Sequence, residues 1–143
     1  MLYKKRCRKI ERYARRFCDK VRSDFTAAGG HLTADYPRIR VHRRFGVVPA
    51  EIKGLEAAEK TISGDSIING LYFNGHIELF GITKSKPEIL KRTIRHECLH
   101  FLLEKSGLPC KDGDDIFIAL AILYNANPYR LHRNPEVREL FAD

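Results

Sequence analysis

The sequence predicts an α+β domain, and three observations carry that expectation. An apolar stripe at helical spacing runs through the first 25 residues. An Asn-Gly pair, Asn74-Gly75, sits between two short β-rich runs. Two strongly apolar helical stretches then follow one another between residues 85 and 126. A helix, a cluster of strands and then a run of helices favour segregated layers over alternating βα units.

The 143 residues are expected to form a single domain, 1–143, long enough to bury a core of its own. Hydrophobic residues make up 43% and charged residues 31%, the ordinary balance of a folded chain. No apolar run approaches the roughly 20 residues needed to span a bilayer. The basic N-terminus lacks the apolar core and cleavage site of a signal peptide, so a cytoplasmic location without membrane contact is expected. Cys7, Cys18, Cys98 and Cys110 form no Cys-x-x-Cys pair and read as reduced thiols.

Residues 1–25 are read as a basic amphipathic helix, helical from residue 2. Tyr3, Cys7, Ile10, Ala14, Phe17 and Val21 are spaced alternately by four and three, which places them on one face. The other faces are basic. The net charge of +8 is concentrated here: residues 1–22 hold ten Lys and Arg against Glu11 and Asp19, and the rest of the chain balances. Arg8, Arg12, Arg15 and Arg16 are the candidate contacts to DNA or RNA phosphates through residues 1–22. A solvated face of a packed helix, or a short coiled coil with a partner, would use the same pattern. Tyr13 is the one aromatic candidate for base stacking on the basic face.

Ala27-Ala28-Gly29-Gly30 ends this helix. Residues 36–81 are expected to form a small antiparallel sheet. Ile39 and Val41 alternate with Arg38, Arg40 and His42, predicting a half-exposed strand over 38–45 that Gly46 and Pro49 close. Residues 50–60 have the composition of a short helix, weakened by Gly54. Leu71-Tyr72-Phe73, Asn74-Gly75 and His76 to Phe80 read as a β-hairpin over 67–81, because Asn-Gly suits a two-residue hairpin turn.

Residues 87–126 are expected to hold two buried helices. Pro87 and Glu88 suit the first turn of the first. Leu90, Ile94, Leu99, Phe101, Leu102 and Leu103 give it apolar faces on several sides, and Gly107 and Pro109 stop it. The second covers roughly 114–126, with Ile116, Phe117, Leu120 and Ile122, and ends at Asn127-Pro128. A short helical piece is expected in the tail near 135–141.

The first of these helices carries His96-Glu97-Cys98-Leu99-His100, a His-Glu-x-x-His motif. Histidines four residues apart on a helix share a face one turn apart, so both imidazoles can reach one ion. Zn2+ is the usual ion, held by nitrogen at about 2.0–2.1 Å. Glu97 then stands beside the ion, where a carboxylate can take a proton from bound water and return it to a leaving group. A catalytic zinc usually takes three protein ligands. The third candidates cluster in Lys111-Asp112-Gly113-Asp114-Asp115, which the turn at 107–109 returns toward the histidines. Glu104, on the same helix as both histidines, would strain the tetrahedron. Asp114 is placed to cap the closing helix.

On these residues the chain resembles the SprT-like metallopeptidases, small zincins of bacteria and phages. The resemblance covers residues 76–120: a strand, Thr93 to His100, Gly107, a polar turn and Phe117. It implies a minimal zincin-like domain of phage or prophage type. It also implies a third ligand in the polar turn, four or five residues before an aromatic. Five before Phe117 stands Asp112, where the family usually has histidine. Asp115 is the alternative, a position where some other zincins place an acidic ligand. The His-x-x-Gly-x-x-His extension and the methionine turn of metzincins are absent, and so is a C-terminal zinc ribbon. Tyr124, Tyr129 and His132 are candidates for stabilising an oxyanion.

The expected function is therefore zinc-dependent hydrolysis of peptide bonds in a protein substrate, and the resemblance together with the basic first helix suggests a substrate associated with nucleic acid. His96, His100 and Asp112 would be the metal ligands and Glu97 the catalytic carboxylate. The alternative is a nucleic-acid-binding or partner-binding protein whose zinc site is structural or vestigial.

Overall fold

In a computed structural model, residues 2–42, 70–80 and 87–126 are described. They form helix α1 (Leu2–Ala27), strands β1 (Arg38–His42), β2 (Gly70–Phe73) and β3 (His76–Phe80), and helices α2 (Pro87–Lys105) and α3 (Asp115–Leu123). The fold is mixed α+β. The helix expected over 50–60, the tail piece near 135–141, and residues 43–45 and 67–69 of the expected strands lie outside the described residues.

Helix α2 is the centre. Thr93, Ile94, His96, Glu97, Cys98, Leu99, Phe101, Leu102 and Leu103 are all buried, so neighbours cover several of its faces. Helix α1 packs on it through Ile10, Ala14, Phe17, Cys18 and Val21, and α3 through Phe117, Leu120 and Ala121. From Ile10 to Val21 the apolar stripe of α1 is thus buried in the chain's own core. Arg95 ties the three helices together. Its Nη1 donates to Tyr13 Oη at 2.5 Å, and its Nε and Nη2 donate to the Asn125 carbonyl at 3.2 and 2.9 Å. Tyr13 is therefore half-buried against α2, with the Lys91 ammonium 5.9 Å from its ring centre, and is not a stacking platform on the basic face.

The sheet has the order β1-β3-β2. The hairpin forms as expected: β2 and β3 pair antiparallel, with Tyr72 opposite Ile77. Asn74 and Gly75 both take positive φ (46° and 84°), as the tight turn requires. The expectation of an all-antiparallel sheet is corrected, because β1 pairs with β3 in parallel, Arg38 beside His76 and Val41 beside Leu79. A parallel partner needs a crossover of a dozen or more residues, and the 38–80 segment is long enough to supply one. Alternation in β1 records only that one of its faces is covered; it is the same for either pairing direction. Ile77 and Leu79 of β3 turn inward and are fully buried. Glu78 points to the other face, where Arg40 Nη1 and His42 Nε2 reach its carboxylate at 3.3 and 2.8 Å.

Helix α2 ends as its sequence requires. Gly107 takes φ 74°, the Leu108 N–H donates to the Leu103 carbonyl at 2.9 Å, and the Gly107 N–H to that of Glu104 at 3.1 Å. This is the Schellman arrangement, which turns the chain sharply back toward α2. All four cysteines are free thiols. Among the described residues no helix is long and apolar enough to cross a membrane.

Candidate metal centre

The two motif histidines lie one turn apart on α2 and point the same way. Their Nε2 atoms are 3.1 Å apart. Asp112 comes to them from the turn between α2 and α3. Its Oδ1 lies 3.1 Å from His96 Nε2 and 2.9 Å from His100 Nε2. Among the described residues, these three form the one group of His, Cys, Asp or Glu side chains close enough to share an ion.

The turn that delivers Asp112 is closed by a reciprocal pair. The Asp114 N–H donates to the Lys111 carbonyl at 3.0 Å, and the Lys111 N–H donates to Asp114 Oδ2 at 2.9 Å. Asp114 does hold the N-cap position of α3, but its carboxylate does not cap the helix N–H groups. The side chain instead reaches backward to the Lys111 N–H. Asp115 is exposed on the first turn of α3 and stands outside the converging group.

His100 is held from behind by a hydrogen bond, whereas the buried His96 Nδ1 has no hydrogen-bond partner among the described residues. His100 Nδ1 donates to the Cys110 carbonyl, which leaves Nε2 as the lone-pair nitrogen of the neutral ring. The His100 ring lies against Phe117, with centroids 4.1 Å apart and planes at 15°. Tyr72 from β2 stacks near it, at 6.3 Å and 16°. Phe117 also meets His96 edge-on at 5.0 Å and 76°. Phe117 is fully buried, so one rigid ring sets the planes of both ligands.

The donor set could hold a metal ion. Three lone-pair atoms, two nitrogens and one carboxylate oxygen, form a triangle with edges of 3.1, 3.1 and 2.9 Å. One face of a tetrahedron with the usual bond lengths has edges of about 3.3 Å. Three acceptors that close need a cation or a proton among them. Without a metal, these contacts favour a proton on His100. Burial alone would lower its pKa, but the hydrogen bond to Asp112, the charges of Glu97 and Asp112, and the Cys110 carbonyl together raise it. Burial would likewise raise the Asp112 carboxyl. Its hydrogen bonds with His100 and His96 outweigh that and hold it well below the carboxylate range.

Glu97 is buried, with its Oε1 3.9 Å from His96 Nε2. Its position depends on β2. A Cβ on Gly70 would lie 2.6 Å from Thr93 Cγ2 and 3.3 Å from Glu97 Cγ, so the bare glycine lets the strand pass against α2 at the motif. Glu104 is not a ligand; it accepts a hydrogen bond from Tyr72 Oη at 2.9 Å. Tyr124 is turned away from the site. Its hydroxyl donates to Asp24 Oδ2 at 2.6 Å, and its ring packs edge-on against Phe17. Tyr129 and His132 lie outside the described residues.

Sequence reading missed Tyr72, Gly70 and the Cys110 carbonyl as parts of the site. An aromatic in a hairpin, a glycine at a strand start and a main-chain oxygen carry no motif. Arg8, Arg12, Arg15 and Arg16 lie on the exposed face of α1, opposite the residues that pack toward α2. Comparison with protein-family models, curated proteins and solved structures finds no match to this chain.

Proposed function

We propose that the chain is a zinc-dependent metallopeptidase of zincin-like design that hydrolyses peptide bonds in a protein substrate. One observation carries the reading: His96 Nε2, His100 Nε2 and Asp112 Oδ1 converge, with the Glu97 carboxylate beside them. The resemblance of residues 76–120 to SprT-like metallopeptidases points the same way, with Asp112 in the position of the usual third histidine.

His96, His100 and Asp112 would hold the ion. When bound, zinc lowers the pKa of a coordinated water toward 7 and polarises a carbonyl oxygen. Glu97 takes a proton from the attacking water and delivers it to the departing amine. Its burial keeps this proton traffic out of bulk solvent. The Cys110 carbonyl holds the proton of neutral His100 on Nδ1, so the Nε2 lone pair faces Asp112 and is free to bind a metal. Among the described residues strand β2 lies at an edge of the sheet and against the motif, which suits pairing with a substrate in extended form.

The test is hydrolysis of an unfolded protein by zinc-loaded parent and by Glu97→Gln. The parent should cut, and Glu97→Gln should retain about one zinc per chain yet lose at least 100-fold in rate. A parent that binds no added zinc, or a Glu97→Gln protein as active as the parent, overturns the reading. A parent that holds zinc tightly and cuts nothing makes the site structural.

A further inference from the structure

The basic face of α1 does not end on the helix. We propose that it continues into a cleft between α1 and the start of β1, and that this groove binds the phosphodiester backbone of nucleic acid. The inference is independent of whether the metal centre cuts peptides.

The segment between α1 and β1 is pinned against the helix. The Arg22 guanidinium donates to the carbonyls of Thr33 and Asp35 and to Asp19 Oδ1, the last at 3.1 Å. Tyr36 Oη donates to the same Asp19 oxygen at 2.6 Å. The Tyr36 ring has two guanidinium groups over it, Arg22 at 4.6 Å and Arg15 at 5.0 Å. These contacts carry Arg38, the first residue of β1, round to the side of α1.

Two clefts result. One, of about 320 Å³, has Arg15 on one wall and Arg38 on the other. The second, of about 330 Å³, is lined by Arg8, Glu11, Arg12 and Arg15. They share Glu11 and Arg15 and so lie side by side. Four arginines and one carboxylate line the two together. Arg8 and Arg15 are seven residues apart, about 10 Å along the helix axis. Among the described residues no carboxylate forms an ion pair with Arg8, Arg12 or Arg15.

The chemistry favours a phosphate polymer over a lipid surface. Arginine binds phosphate through a planar fork of donors, which a linear track of phosphates can engage repeatedly. A helix that lies in a membrane interface buries its apolar face in lipid. Here that face is already buried against α2, so only the charged face is on offer. Among the described residues Tyr36 is the one exposed aromatic ring beside these clefts, and the arginines over it occupy that ring, so contact is with the backbone and not with stacked bases.

The test measures binding of the intact protein to fluorescent 20-base-pair duplexes of DNA and of RNA, and to phosphatidylserine vesicles, at 50–200 mM salt. The parent should bind at least one duplex, with a log–log salt slope of about −3 to −4 for four arginines, a fall of roughly 100-fold across that range. Arg8→Gln/Arg12→Gln/Arg15→Gln should weaken binding at least 10-fold at 50 mM and flatten the slope by about 2.7. Lys91→Gln/Lys105→Gln/Lys111→Gln, outside α1 and with the same change in net charge, should leave both nearly unchanged. If the arginine triple variant unfolds, Arg8→Gln/Arg12→Gln decides, with a slope flatter by about 1.8. Equal binding by the two duplexes, or preference for one, supports the groove and identifies its polymer. No duplex binding at 50 mM salt, binding to vesicles alone, or equal losses in the arginine and lysine variants would overturn the proposal.

Discussion

Phe117 lies flat against His100, with ring centroids 4.1 Å apart and planes 15° from parallel. The same ring meets His96 edge-on. A residue five positions after Asp112 thus orients both histidines, while the turn before it supplies the carboxylate. Helix α3 and the turn before it thus bring the Phe117 ring and the Asp112 carboxylate to the two histidines together.

That arrangement predicts that Phe117→Leu damages metal binding as well as stability. Replacing the ring should cost roughly 1–2 kcal/mol in denaturant unfolding. Zinc affinity should fall about 10–100-fold, the usual loss when a group that orients a ligand is removed. A competitive chelator titration measures it. A variant that loses stability and keeps full zinc affinity would show that the ring only fills space.

The three converging atoms predict which variants lose metal. His96→Ala, His100→Ala and Asp112→Ala should each bind zinc at least 100-fold more weakly than the parent, a larger loss than second-sphere changes give. Asp115→Ala should match the parent, because its side chain is exposed and outside the group. Metal content of proteins purified without chelator separates the two aspartates directly.

Metal-free and zinc-loaded protein should respond to pH with opposite sign. In the metal-free chain the His100 pKa is raised above its ordinary 6.5. A group raised on folding contributes its full stability below the unfolded pKa and loses it as pH rises through the folded one. Asp112, held low, loses its contribution only when pH falls far into the acid range. Between pH 6 and 8 the chelated protein should therefore lose thermal stability. The zinc-loaded protein should gain it, because zinc competes with the proton on His100. His100→Ala should flatten the chelated profile. Parallel profiles with and without zinc would remove His100 from the site.

The packing of β2 on α2 predicts a coupled pair. Gly70→Ala places a methyl 2.6 Å from Thr93 Cγ2 and should destabilise by about 1–3 kcal/mol. Thr93→Ser removes that carbon and keeps the hydroxyl that donates to the Ile89 carbonyl at 3.0 Å. The double variant should recover much of the loss. A double-mutant cycle in urea reads the coupling, and strict additivity would mean that the strand shifts away instead.

Much of the architecture was legible because its causes are local. Helical periodicity placed α1, and an Asn-Gly pair placed the β2–β3 turn. The spacing of His96 and His100 put both rings on one helical face, since that depends only on 3.6 residues per turn. The polar turn before Phe117 pointed to an acidic third ligand, and the family likeness favoured Asp112.

Other features depended on contacts between distant parts of the chain. Alternation in β1 predicts a covered face whichever way its neighbour runs, so its parallel pairing with β3 was settled only when the sheet assembled. The choice of Asp112 over Asp115 rests on a turn closed by Lys111 and Asp114, which local composition does not specify. Gly70, Tyr72 and the Cys110 carbonyl serve the site from outside the motif helix. The amphipathic pattern of α1 marked a buried face and a charged face. The packing of that buried face on α2 was decided by the whole core. Local spacing sets which side chains share a face, and only long-range packing decides what that face meets.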